Sequence, residues 1–260
     1  MVELVQEIRI KMPQLGTRKL YYKLQPSLRE LGVGRDYLFT ILRANHMLIQ
    51  PKKSYHITTN SFHRFYKHSN LMGTRVAVRP EQFWVSDITY IGTRKDPMYL
   101  ALITDAYSKK IVGYDVSDSL CTSGTIRALT KANKSRKYKG KPLIHHSDRG
   151  IQYCSNRYQK LLKKINIQPS MTQKYDPYEN AVAERVNGIL KQEFNIDKYQ
   201  MNLSNTQRLV RNSIEIYNKD RPHLSNSMLT PEKMHQQKQL NVKTYRSKKG
   251  SNKNKFATTS

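Results

Sequence analysis

Residues 83–116 read FWVSDITYIGTRKDPMYLALITDAYSKKIVGYDV, and this stretch decides the fold class. Phe83, Val85, Ile88, Tyr90 and Ile91 predict one strand. Met98 to Ala106, nearly all apolar, predicts a second, and Lys110 to Val116 a third. The connections are short, so the three should form an antiparallel meander. Downstream the pattern alternates: a helix over 122–132, a short buried strand over 142–146, a helix over 156–165 and a strand over 167–171. A long helix over 177–194 and another over 206–217 follow. Three strands and then alternating helices and strands predict an α/β mixed sheet spanning 81–235.

Upstream, Val2, Val5, Ile8 and Met12 have helical spacing, and Pro13 stops the run. Leu20, Tyr21, Leu24 and Leu28 predict a second helix, and Gly32 and Gly34 a turn. Tyr37, Leu38, Ile41 and Leu42 predict a third helix, with Asp36 as its cap. Residues 1–50 therefore read as a small helix-turn-helix module that contacts DNA, or, more plainly, as helices that only pack on their neighbour. Residues 51–80 show no clean period and read as a basic linker. Residues 236–260, rich in Lys, Ser and Asn, read as a disordered basic tail.

Charge narrows the partners. Forty-six Lys and Arg face 19 Asp and Glu, a net +27 over 260 residues, which calls for a polyanion such as nucleic acid. No window approaches a membrane span, and the start lacks the pattern of a signal peptide, so a cytoplasmic, nucleoid-associated protein is expected. Cys121 and Cys154 make neither a disulfide framework nor a zinc site. Fourteen of the 19 acids lie within 81–230, either as ordinary ion pairs of the best-folded region or as ligands for cations.

Three of those acids stand out. Asp87 interrupts an apolar strand and so needs a partner or a cation. Asp148 lies just past a strand end, where α/β sheets place ligands. Glu184 follows after 35 intervening residues, on the long helix. Asp176, Pro177 and Glu179 read as the start of that helix. Val182, Val186 and Ile189 line its core face, leaving Glu184 and Lys191 nearly opposite, on what could also be an ordinary solvated face. Three carboxylates converging from a strand, a strand end and a helix can hold two Mg²⁺ ions, and such a pair serves phosphodiester chemistry. His145 and His146 suit hard Mg²⁺ poorly and read as structural or DNA-facing; His223 reads as a loop contact. No nucleophile with a base and orienter, phosphate loop or dinucleotide fingerprint is present.

The segments WVSDITYI, HHSDRGIQY and YDPYENAVAERVNGILKQEF together resemble the catalytic core of insertion-sequence transposases of the retroviral-integrase-like superfamily, nearest to the long (orfB-type) frame of two-frame elements. The likeness covers about residues 10–235 and includes the C-terminal YNKDRPHLSNSMLTPEKMH. It implies an RNase H-like fold, with Asp87, Asp148 and Glu184 as catalytic metal ligands and Lys191 as a DNA contact near the cut. Arg149, Arg185, Arg18, Lys19 and Arg35 are further candidates for DNA contact. Trp84, Asn180, Gly188 and Asp105 read as framework; Glu179 and Arg185 depart from the residues common in the family. The implied activity is cleavage of one DNA strand at an element end and joining of the freed 3′-hydroxyl to another phosphodiester. Two Mg²⁺ would support it, with Mn²⁺ as a substitute. Implied partners are DNA, an upstream-frame (orfA-type) protein or fusion, and further copies of the chain when ends are synapsed. The alternatives are a non-catalytic protein that occupies element ends and a nuclease for RNA–DNA hybrids.

The charge generates a prediction. If about six phosphates are neutralised, log K for DNA should fall with log salt at a slope near −5, measured by fluorescence anisotropy. A slope near zero would contradict the polyanion reading.

Overall fold

The computed structural model describes residues 1–50, 63–73, 75–93, 96–173 and 180–237. Its centre is a five-stranded sheet of order β3-β2-β1-β4-β5. The strands are β1 (Phe83–Gly92), β2 (Pro97–Asp105), β3 (Ile111–Ser117), β4 (Ile144–Ser147) and β5 (Gln168–Met171). The first three are antiparallel, as the sequence predicts, and β4 and β5 join parallel beside β1. This is the RNase H-like mixed sheet.

Side chains alternate across β1. Trp84 and the partly buried Ile88 join a core with α4 (Thr122–Ser135) and α6 (Asn156–Lys164). Phe83 and Val85 turn the other way, toward Ala183 of α7 (Ala181–Phe194). Gly113 lets α4 lie close to the sheet, because a Cβ there would collide with the Ala128 carbonyl and stand 2.7 Å from Ala132 Cβ. Asp176, Pro177 and Glu179, the expected helix start, lie outside the described residues.

Three helices precede the sheet: α1 (Val2–Lys11), α2 (Thr17–Glu30) and α3 (Arg35–Ala44). Gly32 takes a φ of +64° in the turn between α2 and α3. The cap of α3 is Gly34, and Asp36 sits inside the first turn in an exposed pair with Arg35. Leu20, Leu28, Leu38 and Leu42 share one apolar core with Val186, Leu190 and Phe194 of α7. The described part of the expected linker also lies on the core. Leu71 donates its N–H to Ser170 Oγ at 2.8 Å, and the Met171 N–H donates to the Ser69 carbonyl.

Sequence patterning missed α5 (Ile151–Cys154) and α9 (Pro231–Gln236), each too short to show a helical period. The longer α8 (Leu203–Lys219) precedes α9. His235 of α9 lies 3.7 Å from Asp105 Oδ1 and 3.6 Å from Glu81 Oε1, fixing the C-terminal helix to the sheet. Burial opposes charge on His235, yet these two carboxylates hold its pKa above the ordinary value. Asp105 is accordingly a structural residue. Residues 238–260, most of the expected tail, lie outside the described chain.

Glu193, near the end of α7, ties the N-terminal helices to the core. It accepts from Arg221 at 2.6 and 2.8 Å and from Lys19 at 2.9 Å, while its carbonyl accepts the Gln14 N–H. Against the cost of burial, Arg221 and Lys19 hold its carboxyl low. Glu193→Ala would strand the fully buried Arg221 and should cost about 3 kcal/mol, read by urea unfolding. A loss below about 0.5 kcal/mol, the scale of an ordinary surface pair, would contradict this role.

Candidate active site

The register of the sheet builds the site. β1 and β4 pair Phe83 with Ile144, Trp84 with His145 and Val85 with His146. Carried on by two residues, the same register sets Asp148 level with Asp87. Adjacent strands lie about 4.8 Å apart, so two carboxylates stand side by side. Asp87 shares its strand face with Phe83 and Val85, the face covered by α7.

Helix α7 meets this face with a polar stripe. Asn180, Glu184, Asn187 and Lys191 recur at intervals of three and four, the spacing of one helix face. Asn180 Nδ2 donates to the Ser86 carbonyl at 3.1 Å, and Asn187 Nδ2 donates to Asp87 Oδ2 at 2.6 Å. Asn187 was not foreseen. Its signal was present in its place one turn beyond Glu184 and two turns beyond Asn180.

Asp148 is set by the turn that follows it. Its Oδ1 accepts the Gly150 N–H at 3.0 Å, and a Cβ on Gly150 would stand 3.0 Å from the same oxygen. His63, from the expected linker and also not foreseen, holds the Arg149 carbonyl at 2.8 Å through Nε2. His145 is core: its Nε2 meets Ser86 Oγ at 2.7 Å and the Tyr158 hydroxyl at 2.9 Å, and burial lowers its pKa to about 3. His146 is buried against Ser170 Oγ, and His223 lies in a loop, buried, with its backbone N–H donating to the Leu229 carbonyl.

Electrostatics couple the carboxylates. Burial first, and Asp148 second, push Asp87 up to about 7; the Asn187 hydrogen bond opposes them and Glu184 adds a smaller upward push. Glu184 is exposed, with partial desolvation raising its carboxyl. Burial lowers the pKa of Lys191, opposed by Asp197 and Asp87. Asp87 and Asp148 are thus brought together, and Glu184 is within electrostatic reach. Among the described residues, however, no three His, Cys, Asp or Glu side chains stand close enough together to hold a metal ion. The donor set nonetheless suits a hard divalent cation: it is all oxygen, its two aspartates repel each other, and Asn187 Oδ1 is buried without a hydrogen-bond partner.

The candidate DNA contacts fall in different settings. Arg185 and Arg18 are exposed, while Arg149 and Lys191 are half-buried beside the site. Arg18 and Arg35 line one shallow depression with Arg43. Lys19 is committed to Glu193, and Arg35 to Asp36.

The raised pKa of Asp87 has a measurable sign. Between its ordinary value of 3.8 and about 7, the folded state keeps a proton that the unfolded chain has released. Each rise in pH across that window therefore favours unfolding. In EDTA, Asp87→Asn should gain stability relative to wild type from pH 4 to 8, read as urea midpoints. Parallel curves for the two proteins would contradict the shift.

Comparison with known proteins accords with this geometry. The integrase core domain family matches residues 77–177, and a second integrase core domain family matches residues 165–231. The uncharacterized 31 kDa protein of insertion element IS600 from Shigella sonnei is 35% identical over 241 residues, covering 88% of each chain. The transposase of element IS904 from Lactococcus lactis is 33% identical, covering 61% of this chain and 67% of its own. Among solved structures, a simian T-cell lymphotropic virus intasome, bound to a PP2A regulatory subunit, aligns with a TM-score of 0.53 at 20% identity. That alignment covers 85% of this chain and 75% of the other, and supports the fold alone. The chain belongs to the insertion-sequence transposases of the integrase superfamily, and its activity is that class's DNA polynucleotidyl transfer.

Proposed function

We propose that Asp87, Asp148 and Glu184 form the catalytic site, cutting one strand at an element end and presenting the freed 3′-hydroxyl to a second phosphodiester. The observation that carries this reading is the electrostatic coupling of Asp87, on β1, with Asp148, just past the end of β4, on the face covered by the helix that bears Glu184. Divalent ions, Mg²⁺ or Mn²⁺, would be held by these three carboxylates and would supply activation of the attacking oxygen and stabilisation of the leaving one. Asp87 and Asp148 are set by the sheet and need little rearrangement. Glu184 completes the set from α7, by moving its exposed side chain toward the aspartates. Asn187 orients the Asp87 carboxylate through Oδ2, and the Ile88 backbone N–H also bonds that carboxylate. Lys191, on the same stripe, would meet a phosphate beside the cut, with Arg149 next to Asp148; the exposed Arg185 lies instead toward Lys19, Tyr217 and His223, and would meet DNA there. The exposed Arg18 and Arg35 suit more distant DNA, while Lys19 acts through its pair with Glu193.

Joining two ends calls for at least two copies of the chain. An upstream-frame partner remains part of this proposal. The match to insertion-sequence transposases favours this reading over a binding protein or a hybrid-specific nuclease.

Nicking of supercoiled plasmid in Mn²⁺ tests the site. Wild type should nick; Asp148→Asn should fall to background while DNA binding survives. Asn187→Ala should lose about 10–100-fold, as expected when a group that orients a ligand is removed. Full cleavage by Asp148→Asn would overturn the assignment. Preference for RNA–DNA hybrid over duplex would favour the nuclease.

A further inference from the structure

A second basic feature lies away from the carboxylates. The 138–142 loop and α6 face each other across an open cavity of about 900 Å³. Lys139 and Lys141 line it from the loop, and Lys160 and Lys163 from α6, all four exposed. Among the described residues no carboxylate lines it, and none of these lysines makes an ion pair. Lys160 and Lys163 lie on one helix face at like charge, a cost that a bound anion would relieve. Tyr66 and His68 complete the lining, edge to face at 4.9 Å. Apart from that contact Tyr66 is open, 75% exposed for a large ring.

The cavity opens where β4 and β5 begin, at Leu143 and Ile167, whereas Asp148 lies where β4 ends. Five residues of extended chain put the two about 16 Å apart. The lysines lie along this far edge, while Cys154, on the near edge of the lining, is within electrostatic reach of Asp148.

We propose that this groove binds an unpaired DNA strand, its phosphates on the four lysines and a base stacked on Tyr66. A duplex would use the lysines but leave the ring idle, whereas exposed aromatics beside a basic track suit single strands. The strand's source would be the end opened by cleavage; that part rests on the transposase reading, and the binding itself does not.

The test uses the full chain in EDTA, so that no cleavage occurs. Binding of a fluorescent 12-nucleotide dT strand is measured by anisotropy, beside a duplex of element-end sequence. Lys160→Glu with Lys163→Glu should weaken dT binding at least tenfold and flatten its salt slope by about 1.4, the value for two phosphate contacts on a single strand. Tyr66→Ala should weaken it about tenfold with the slope unchanged. An iodouracil strand should crosslink to Tyr66. Duplex affinity should hold within twofold, and unchanged melting temperatures exclude misfolding. Wild-type dT affinity in all variants, or crosslinks only elsewhere, would overturn the proposal; loss of duplex affinity alone would make the groove a duplex track. Because metal is absent, failure here leaves the Asp148→Asn nicking result untouched, and the converse holds.

Discussion

Two carboxylates held level on adjacent strands repel each other, and much of this fold serves to keep them there. The β1–β4 pairing ends two residues before both of them and so brings their backbones together. Asn187 clamps one and the Gly150 turn the other. Burial first and this repulsion second raise the pKa of Asp87, so the empty site favours a proton where the loaded site would hold a cation. A sheet without the parallel β4 would leave Asp148 with no fixed relation to Asp87.

Helix α7 links the other parts of the molecule to this pair. One stripe carries Asn180, Glu184, Asn187 and Lys191 to β1, while Val186 and Leu190 enter the core shared with the N-terminal helices. Near its end Glu193 gathers Lys19, Arg221 and the Gln14 N–H. The helices expected to meet DNA are thereby referenced to the same rod that carries Glu184.

The sheet was legible because its signals are local. Alternation over 83–92 and apolar runs at 98–105 specify strands whatever surrounds them. Residue type and spacing picked out Asp87, Asp148 and Glu184 as candidates, and the family resemblance gave them their proposed role. What could not be read was set by tertiary contact. Asn187 looks like any helical Asn until β1 places Asp87 beside it. His63 and Ser69 lie in a stretch without periodicity, and their hydrogen bonds to Arg149 and Met171 bridge about a hundred residues. His235 has no local pattern at all; it is explained by Glu81 and Asp105. Asp36 had the right residue type for a cap, yet Gly34 takes that place and Asp36 pairs with Arg35 instead.

Glu184 is the point on which the account turns, since it faces the aspartates without joining them. Anomalous diffraction from Mn²⁺-soaked crystals of the chain bound to a cut DNA end tests this most directly. The account predicts two peaks about 3.5–4 Å apart, both within bonding distance of the Asp87 and Asp148 carboxylates, with Glu184 turned in to ligate one of them. Manganese bound elsewhere, or bound by the aspartates with Glu184 still in solvent, would contradict it.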